Sequence, residues 1–160
     1  MQEYLQLIQS AQLQQIVDVR TVPRSRRNPQ FDSDNLAWEL EQLQIDYRHE
    51  ADLGGLRKPR PDSTHTALRE EGMRGYADHM ESERFDRAAK RLLKESQERR
   101  CAVMCAEAEP WRCHRSLLSD ALTVRGAEVL HRIRIDDEQR HRLTPMAQAD
   151  GERLRYRGLL

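Results

Sequence analysis

Residues 101–126 read CAVMCAEAEPWRCHRSLLSDALTVRG, an apolar run followed by a polar turn and an amphipathic segment. The run CAVMCA is apolar throughout, as expected of a strand that is covered on both faces of a sheet. Pro110 suits the first position of a helix, and Gly126 suits the position after its last turn. This stretch therefore predicts a buried strand that leads, through the turn, into a helix packed on the sheet.

The same alternation of strand and helix runs along most of the chain. Residues 15–20 (QIVDVR) form a β-branched strand after a short helix, and residues 45–50 (IDYRHE) form a more polar strand after a second helix. An amphipathic helix spans residues 85–93, and residues 127–134 (AEVLHRIR) form a fourth strand. Strands separated by helices pair in parallel through right-handed crossovers. We therefore predict an α/β fold, a three-layer Rossmann-like sandwich with a mostly parallel sheet of about four strands.

The length of 160 residues fits one domain. We assign residues 1–135 to a single α/β domain and the charged residues 136–160 to a C-terminal extension that is either docked or disordered. The 27 basic and 27 acidic side chains exclude the strong positive field of a non-specific nucleic-acid binder. No apolar run could span a bilayer and the N-terminus lacks a secretory pattern, which predicts a cytoplasmic protein without a membrane partner.

Polar side chains come directly after the predicted strands. In a parallel sheet the carboxyl ends of the strands lie at the same edge, so these side chains share that edge. The first strand ends at Arg20, the second at His49 and Glu50, and the third at Cys105 and Glu107. Ligands bind at this edge in open α/β sheets. We therefore expect these groups to share one pocket, although each of them can also have a separate structural role.

A metal ion is one candidate occupant of this pocket. Cys105, Cys113 and His114 can converge because the turn folds the following helix back over the strand end, and Glu107 or Asp18 would complete the ligand set of zinc or iron. The seven residues between the two cysteines do not match the usual short zinc knuckles. His114 can equally be a core histidine, because its helical spacing turns the ring toward the sheet.

A nucleophilic thiolate is the second candidate. A cysteine in the first turns of a helix and beside arginines has a lowered pKa, which applies to Cys105 or Cys113. The phosphatase loop needs five residues between its cysteine and its arginine, whereas six residues separate Cys105 from Arg112. This register disfavours a phosphatase or sulfurtransferase of the usual geometry and leaves a different thiol chemistry open.

An anion is the third candidate. Helix N-termini bind anions, and residues 20–27 (RTVPRSRR) bring four arginines to the exit of the first strand. The alternative is that arginines are simply abundant on the surface of this chain. Asp18 is stronger support for a pocket, because it lies inside an apolar run and a buried carboxylate needs a partner. Arg20 or Arg115 would serve as that partner.

Three motifs give the chain a family resemblance. DVRTVPRS (residues 18–25), LGGLR (53–57) and CAEAEPWRCHR (105–115), followed by a strand that contains His131, resemble the signature of the domain-of-unknown-function family numbered 488. The resemblance covers roughly residues 5–134. It implies a compact bacterial-type α/β domain with a Rossmann-like layout, and it implies no particular reaction.

The motif positions of the family fall on this chain at Asp18, Arg20, Pro23, Ser25, Gly54, Gly55, Arg57, Cys105, Glu107, Cys113, His114 and Arg115. Family members usually begin with a strand that carries a Thr-Ile-Gly-His-Ser-like segment, whereas this chain starts at Met1 inside the helix that follows it. Either the segment is missing, so that the sheet lacks a strand and the pocket loses one wall, or the start codon is misplaced.

These residues favour a pocket that binds a phosphorylated small molecule, a nucleotide or a nucleic-acid end and that is able to act catalytically. We assign the catalytic chemistry to Asp18, Glu107, Cys113 and His114. We assign ligand binding to Arg20, Arg24, Ser25, Gly54, Gly55, Arg57, Cys105 and Arg115. The alternative is a non-catalytic metal- or nucleic-acid-binding module that acts as a sensor or adaptor. No spacing requires a metal cofactor or decides between an enzyme and a binding module.

Overall fold

A parallel sheet of three short strands lies at the centre of the molecule, and helices cover it. The computed structural model describes residues 1–158 of the chain. The helices are α1 (Gln2–Ser10), α2 (Ser33–Gln42), α3 (Glu71–His79), α4 (Glu83–Glu98) and α5 (Arg115–Val124). The strands are β1 (Gln15–Asp18), β2 (Asp46–His49), β3 (Cys101–Met104), β4 (Leu130–Arg134), β5 (Asp137–Arg140), β6 (Ala147–Asp150) and β7 (Arg153–Tyr156). Within residues 1–158, no helix combines the length and the apolar character needed to cross a membrane.

Strand β1 is the central strand of the sheet and pairs in parallel with β2 on one side and β3 on the other. All four of its residues are buried, because its side chains alternate between two apolar layers. Val17 packs with residues of α3, α4 and α5, whereas Ile16 packs with residues of α1 and α2. The predicted α/β fold and its three layers are therefore confirmed, and the architecture is consistent with a Rossmann-like fold.

The number of strands in the sheet differs from the prediction, because the predicted fourth strand does not join it. Strand β4 forms within residues 127–134 but pairs antiparallel with β5, with Leu130 opposite Arg140 and Arg134 opposite Asp137. A hairpin closes over a short turn, whereas a parallel pairing requires a long crossover. Strand β4 therefore pairs with the polar strand that directly follows it, and the parallel sheet of the described residues has three strands.

The C-terminal residues dock on the helical layer formed by α3, α4 and α5. Strands β6 and β7 form a second hairpin, from which Leu154 and Tyr156 enter the apolar core. The Tyr156 hydroxyl donates to the buried carboxylate of Asp120 at 2.9 Å, and its carbonyl accepts from the amide of Ala67. Within the predicted extension, the β6–β7 hairpin is thus docked on the domain. Residue 135 lies inside the β4–β5 hairpin. The boundary between domain and extension that we predict at this residue stays a prediction.

Candidate functional site

Three loops meet at the carboxyl edge of the sheet, which we call the first loop (residues 19–32), the glycine loop (50–57) and the cysteine loop (105–114). The Thr21 hydroxyl donates to the carbonyl of Gly55 at 2.7 Å. A Cβ on Gly54 would lie 2.6 Å from the Thr21 hydroxyl oxygen, and a Cβ on Gly55 would lie 2.8 Å from Nδ1 of His114. The two glycines therefore allow the three loops to close against each other, and their role in ligand binding stays a prediction.

The two cysteines of the cysteine loop lie next to each other. Residues Pro110–Arg112 form a single 3-10 turn, and Cys113 then has an extended backbone (φ −143°, ψ 175°) before α5 begins at Arg115. This break in the helical backbone, which the sequence did not predict, separates Pro110 from the helix. It brings the Sγ of Cys113 to 3.4 Å from the Sγ of Cys105.

Donors converge on the sulfur of Cys113. The Nε of Arg115 donates to its Sγ at 3.2 Å and the backbone amide of Arg115 donates at 3.4 Å. The hydrogen bond from the Cys105 thiol, followed by these contacts with Arg115, outweighs desolvation and lowers the pKa of Cys113 to about 6. The hydrogen bond to Cys113 and burial raise the pKa of Cys105. These contacts favour the thiolate at Cys113 and the thiol at Cys105.

His114 lies beside this pair and faces the helical layer. Its ring centroid is 4.9 Å from that of Tyr76, and its Nε2 is buried without a hydrogen-bond partner within residues 1–158. Burial, followed by the positive charge of Arg115, lowers the pKa of His114 to about 4, so the imidazole is neutral. One ligand atom from each of Cys105, Cys113 and His114 lies within 4.8 Å of the other two. The three predicted metal candidates therefore do converge.

The comparisons with known proteins can be set against this geometry. The model of the family described as domain of unknown function DUF488 matches residues 1–122. The chain belongs to this family. The comparisons with curated proteins and with solved structures gave no match.

Asp18 and Arg20 form a buried ion pair in the DUF488 domain. The Arg20 guanidinium contacts both carboxylate oxygens, with Nη2 at 2.6 Å from Oδ2 and Nε at 2.9 Å from Oδ1, and the Tyr47 hydroxyl donates to Oδ2 at 2.6 Å. Asp18 is fully buried. It shares its face of β1 with Ile16, whereas His114 packs on the opposite face. Both residues lie at the carboxyl edge, but the structure does not bring them into contact.

A groove of about 850 Å³ reaches part of the predicted site. It follows β3, which is an edge strand of the sheet, and reaches the cysteine loop. Its end at the carboxyl edge is lined by Tyr4, Arg20, Ser25, Cys105, Glu107 and Arg115. A small ligand at this end of the groove would therefore lie beside Arg20, Cys105 and Arg115.

The remaining predicted residues hold the loops or form the rim. Arg57 donates to the carbonyls of Gly54 and Ala51 and so holds the glycine loop, and Ser25 accepts from the amide of Asn28. Arg24 and the Glu107 side chain are exposed at the ends of their loops. Arg115 also donates to the carbonyls of Glu107 and Ala108, so it both positions the cysteine loop and contacts the thiolate.

Sequence reasoning missed several residues of this region. Tyr47 is one of the donors to the Asp18 carboxylate. Strand alternation places it on the same face of the sheet as Asp18, but only when the register between β1 and β2 is known. Three further residues form a chain, in which His141 contacts Asp120 at 2.7 Å and His131 at 2.8 Å. This chain depends on the β4–β5 hairpin, and no local pattern in the sequence indicates it.

Proposed function

We propose that this DUF488 domain binds a phosphorylated small molecule, a nucleotide or a nucleic-acid end at the carboxyl edge of its sheet and uses Cys113 as a nucleophile. The observation that carries the proposal is the environment of the Cys113 sulfur, which lies 3.4 Å from the Sγ of Cys105 and 3.2 Å from the Nε of Arg115. These contacts favour the thiolate, which is the reactive form of cysteine.

The first loop supplies the positive charge that an anionic ligand requires. This loop contains four arginines and one acidic residue, Asp32, whereas the whole chain has a formal net charge of zero. Arg20 is engaged with Asp18, while Arg24, Arg26 and Arg27 are exposed. Arginine binds phosphate in a two-point geometry, so this loop is suited to a terminal phosphate.

Each of the three loops also exposes one large apolar side chain. Val22, Leu56 and Trp111 are exposed on the first, glycine and cysteine loops, respectively. Apolar and aromatic groups next to a charged site fit the sugar and base of a nucleotide. This combination favours a nucleotide or a nucleic-acid end over inorganic phosphate.

The proposed roles follow from the contacts of each residue. Cys113 donates the electron pair that bonds to an electrophilic atom of the ligand, and the leaving group departs with the pair of the broken bond. Arg115 and the Cys105 thiol stabilise the thiolate before the attack. Asp18 acts through Arg20, which it orients toward the groove, and Glu107 at the rim is the candidate proton donor to the leaving group.

We expect the triple variant R24S/R26S/R27S to bind a phosphorylated oligonucleotide roughly tenfold more weakly than the wild type, because it removes three phosphate contacts. The probe is an eight-nucleotide single strand with a 5′ phosphate, and fluorescence anisotropy measures its binding. The matched control R142S/R153S/R155S removes three exposed arginines of the C-terminal region. Equal losses in both triple variants, or equal binding of the strand without its phosphate, would contradict the proposal.

A metal site is the second candidate, because the ligand atoms of Cys105, Cys113 and His114 converge and the His114 Nε2 is an orphaned buried atom. Asp18 and Glu107 do not join these ligands in the part of the chain that the structure describes. Three ligands of this type suit zinc, although the guanidinium of Arg115 opposes a cation beside Cys113. Near-stoichiometric zinc in the purified protein, lost in His114→Ala, would establish this candidate, and its absence would favour the nucleophile.

A further inference from the structure

The sulfurs of Cys105 and Cys113 lie close enough for a covalent bond to form with little movement. They are 3.4 Å apart, whereas the sulfurs of a disulfide are about 2.0 Å apart. The third cysteine, Cys101, is the first residue of β3, and Cys105 directly follows that strand. Cys101 therefore lies about 13 Å from Cys105 along the chain. Cys101 contacts Gln15 and cannot reach the pair.

We propose that Cys105 and Cys113 form a dithiol–disulfide couple that reduces small hydroperoxides. The inference rests on the proposed function in one respect, since both require Cys113 to be the attacking thiolate. It goes beyond that function because it assigns a role to Cys105 and names a second class of substrate. Both cysteines are partly exposed, and a hydroperoxide is small enough to reach their sulfurs.

The first step consumes one hydroperoxide. The Cys113 thiolate attacks one peroxide oxygen, the O–O bond breaks and an S–O bond forms, which gives a sulfenic acid. The other oxygen leaves with the electron pair of the O–O bond, takes up a proton and is released as water or an alcohol. The Nε of Arg115, 3.2 Å from the sulfur, is placed to stabilise the negative charge on that departing oxygen.

The second step closes the disulfide. The Cys105 sulfur attacks the Cys113 sulfur, the S–O bond breaks and the hydroxyl leaves as water after it takes the proton of the Cys105 thiol. Sulfur loses two electrons over the two steps and the peroxide gains them. A low-molecular-weight thiol returns the pair to the dithiol by thiol–disulfide exchange.

The location of Cys105 favours the second step over further oxidation of Cys113. Cys105 opens the cysteine loop, in which Ala106, Glu107 and Ala108 are exposed to solvent. Its thiol already contacts Cys113, so a sulfenic acid would form directly beside a resolving thiol. A resolving thiol at contact distance captures a sulfenic acid before a second peroxide arrives.

The test treats the full-length protein with one equivalent of hydrogen peroxide and maps its thiols by mass spectrometry. We expect a disulfide between Cys105 and Cys113 in the wild type and in the control Cys101→Ser. It is detected as a cross-linked pair of peptides whose mass is two hydrogens lower than the sum of the two free peptides. Cys105→Ser is expected to stop at a sulfenic acid that dimedone traps, and Cys113→Ser to leave Cys105 unoxidised. A thiol reductant should restore the wild-type mass.

The outcomes separate this inference from the proposed function. Rapid alkylation of Cys113 without any Cys105–Cys113 disulfide would overturn the redox couple and leave the nucleophile intact. A disulfide that includes Cys101, or sulfenic acid that accumulates in the wild type as in Cys105→Ser, would also overturn it. Slow alkylation of Cys113 together with no oxidation would overturn both.

Discussion

Asp18→Ala is expected to lower the free energy of unfolding by about 3–5 kcal/mol. The substitution removes the partner of Arg20, which is only 6% exposed, and leaves its guanidinium buried without a counter-charge. It also removes the acceptor of the Tyr47 hydroxyl. Urea denaturation at pH 7, followed by circular dichroism, measures the loss.

The matched control is Asp46→Ala, which breaks the ion pair of Asp46 with Arg99. Asp46 is 67% exposed, and exposed pairs contribute about 1 kcal/mol or less. The double variant Asp18→Ala/Arg20→Met removes both buried charges and is expected to recover part of the lost stability. If Asp18→Ala costs no more than Asp46→Ala, the ion pair is not the structural centre of this edge.

The parallel sheet could be predicted because strand patterns alternate with helical patterns along the chain. Only β1 is buried at every residue, whereas β2 is largely polar and β3 is half-buried at the edge of the sheet. The apolar run around Asp18 identifies a central strand, and strand alternation places Arg20 on the same face as the carboxylate. The rule that ligands bind at carboxyl ends then directs attention to the edge where Cys105 lies. These inferences need only local sequence and one general property of α/β sheets.

The parts that could not be predicted depend on contacts between distant segments. The partner of β4 is decided by competition between a local hairpin and the sheet edge, and the residues of β4 alone do not show which is more stable. The ring of Tyr76 packs against His114 only because α3 is placed next to α5. The contact between Cys105 and Cys113 depends on an extended residue inside a stretch that has helical periodicity.

The alkylation rate of Cys113 is expected to rise with pH through a midpoint near 6 and to level off above about pH 7, since its pKa is lowered to about 6. At pH 6 about half of Cys113 is thiolate, against well under 1% of an ordinary thiol with a pKa of about 8.5. A low pKa also reduces nucleophilicity, so the net advantage at pH 6 is about tenfold. Iodoacetamide labelling followed by mass spectrometry gives the rate at each cysteine.

Three variants identify the source of the shift in the Cys113 pKa. Cys113→Ser removes the fast labelling phase completely. Cys105→Ala removes the thiol hydrogen bond, and Arg115→Gln removes the guanidinium, so each moves the midpoint of labelling to higher pH. Cys105→Ala is expected to give the larger shift, because the thiol hydrogen bond is the largest of the causes that lower this pKa.

Cys101 is the internal control in every labelling experiment. Burial raises its pKa, so its labelling should be slow and should increase only at alkaline pH. The labelling is repeated with a zinc chelator, since a metal ion on Cys113 would suppress the rate until the chelator removes it. A labelling rate at Cys113 that continues to climb to pH 9, with or without chelator, would show that its sulfur is an ordinary thiol and would remove the basis of the nucleophile.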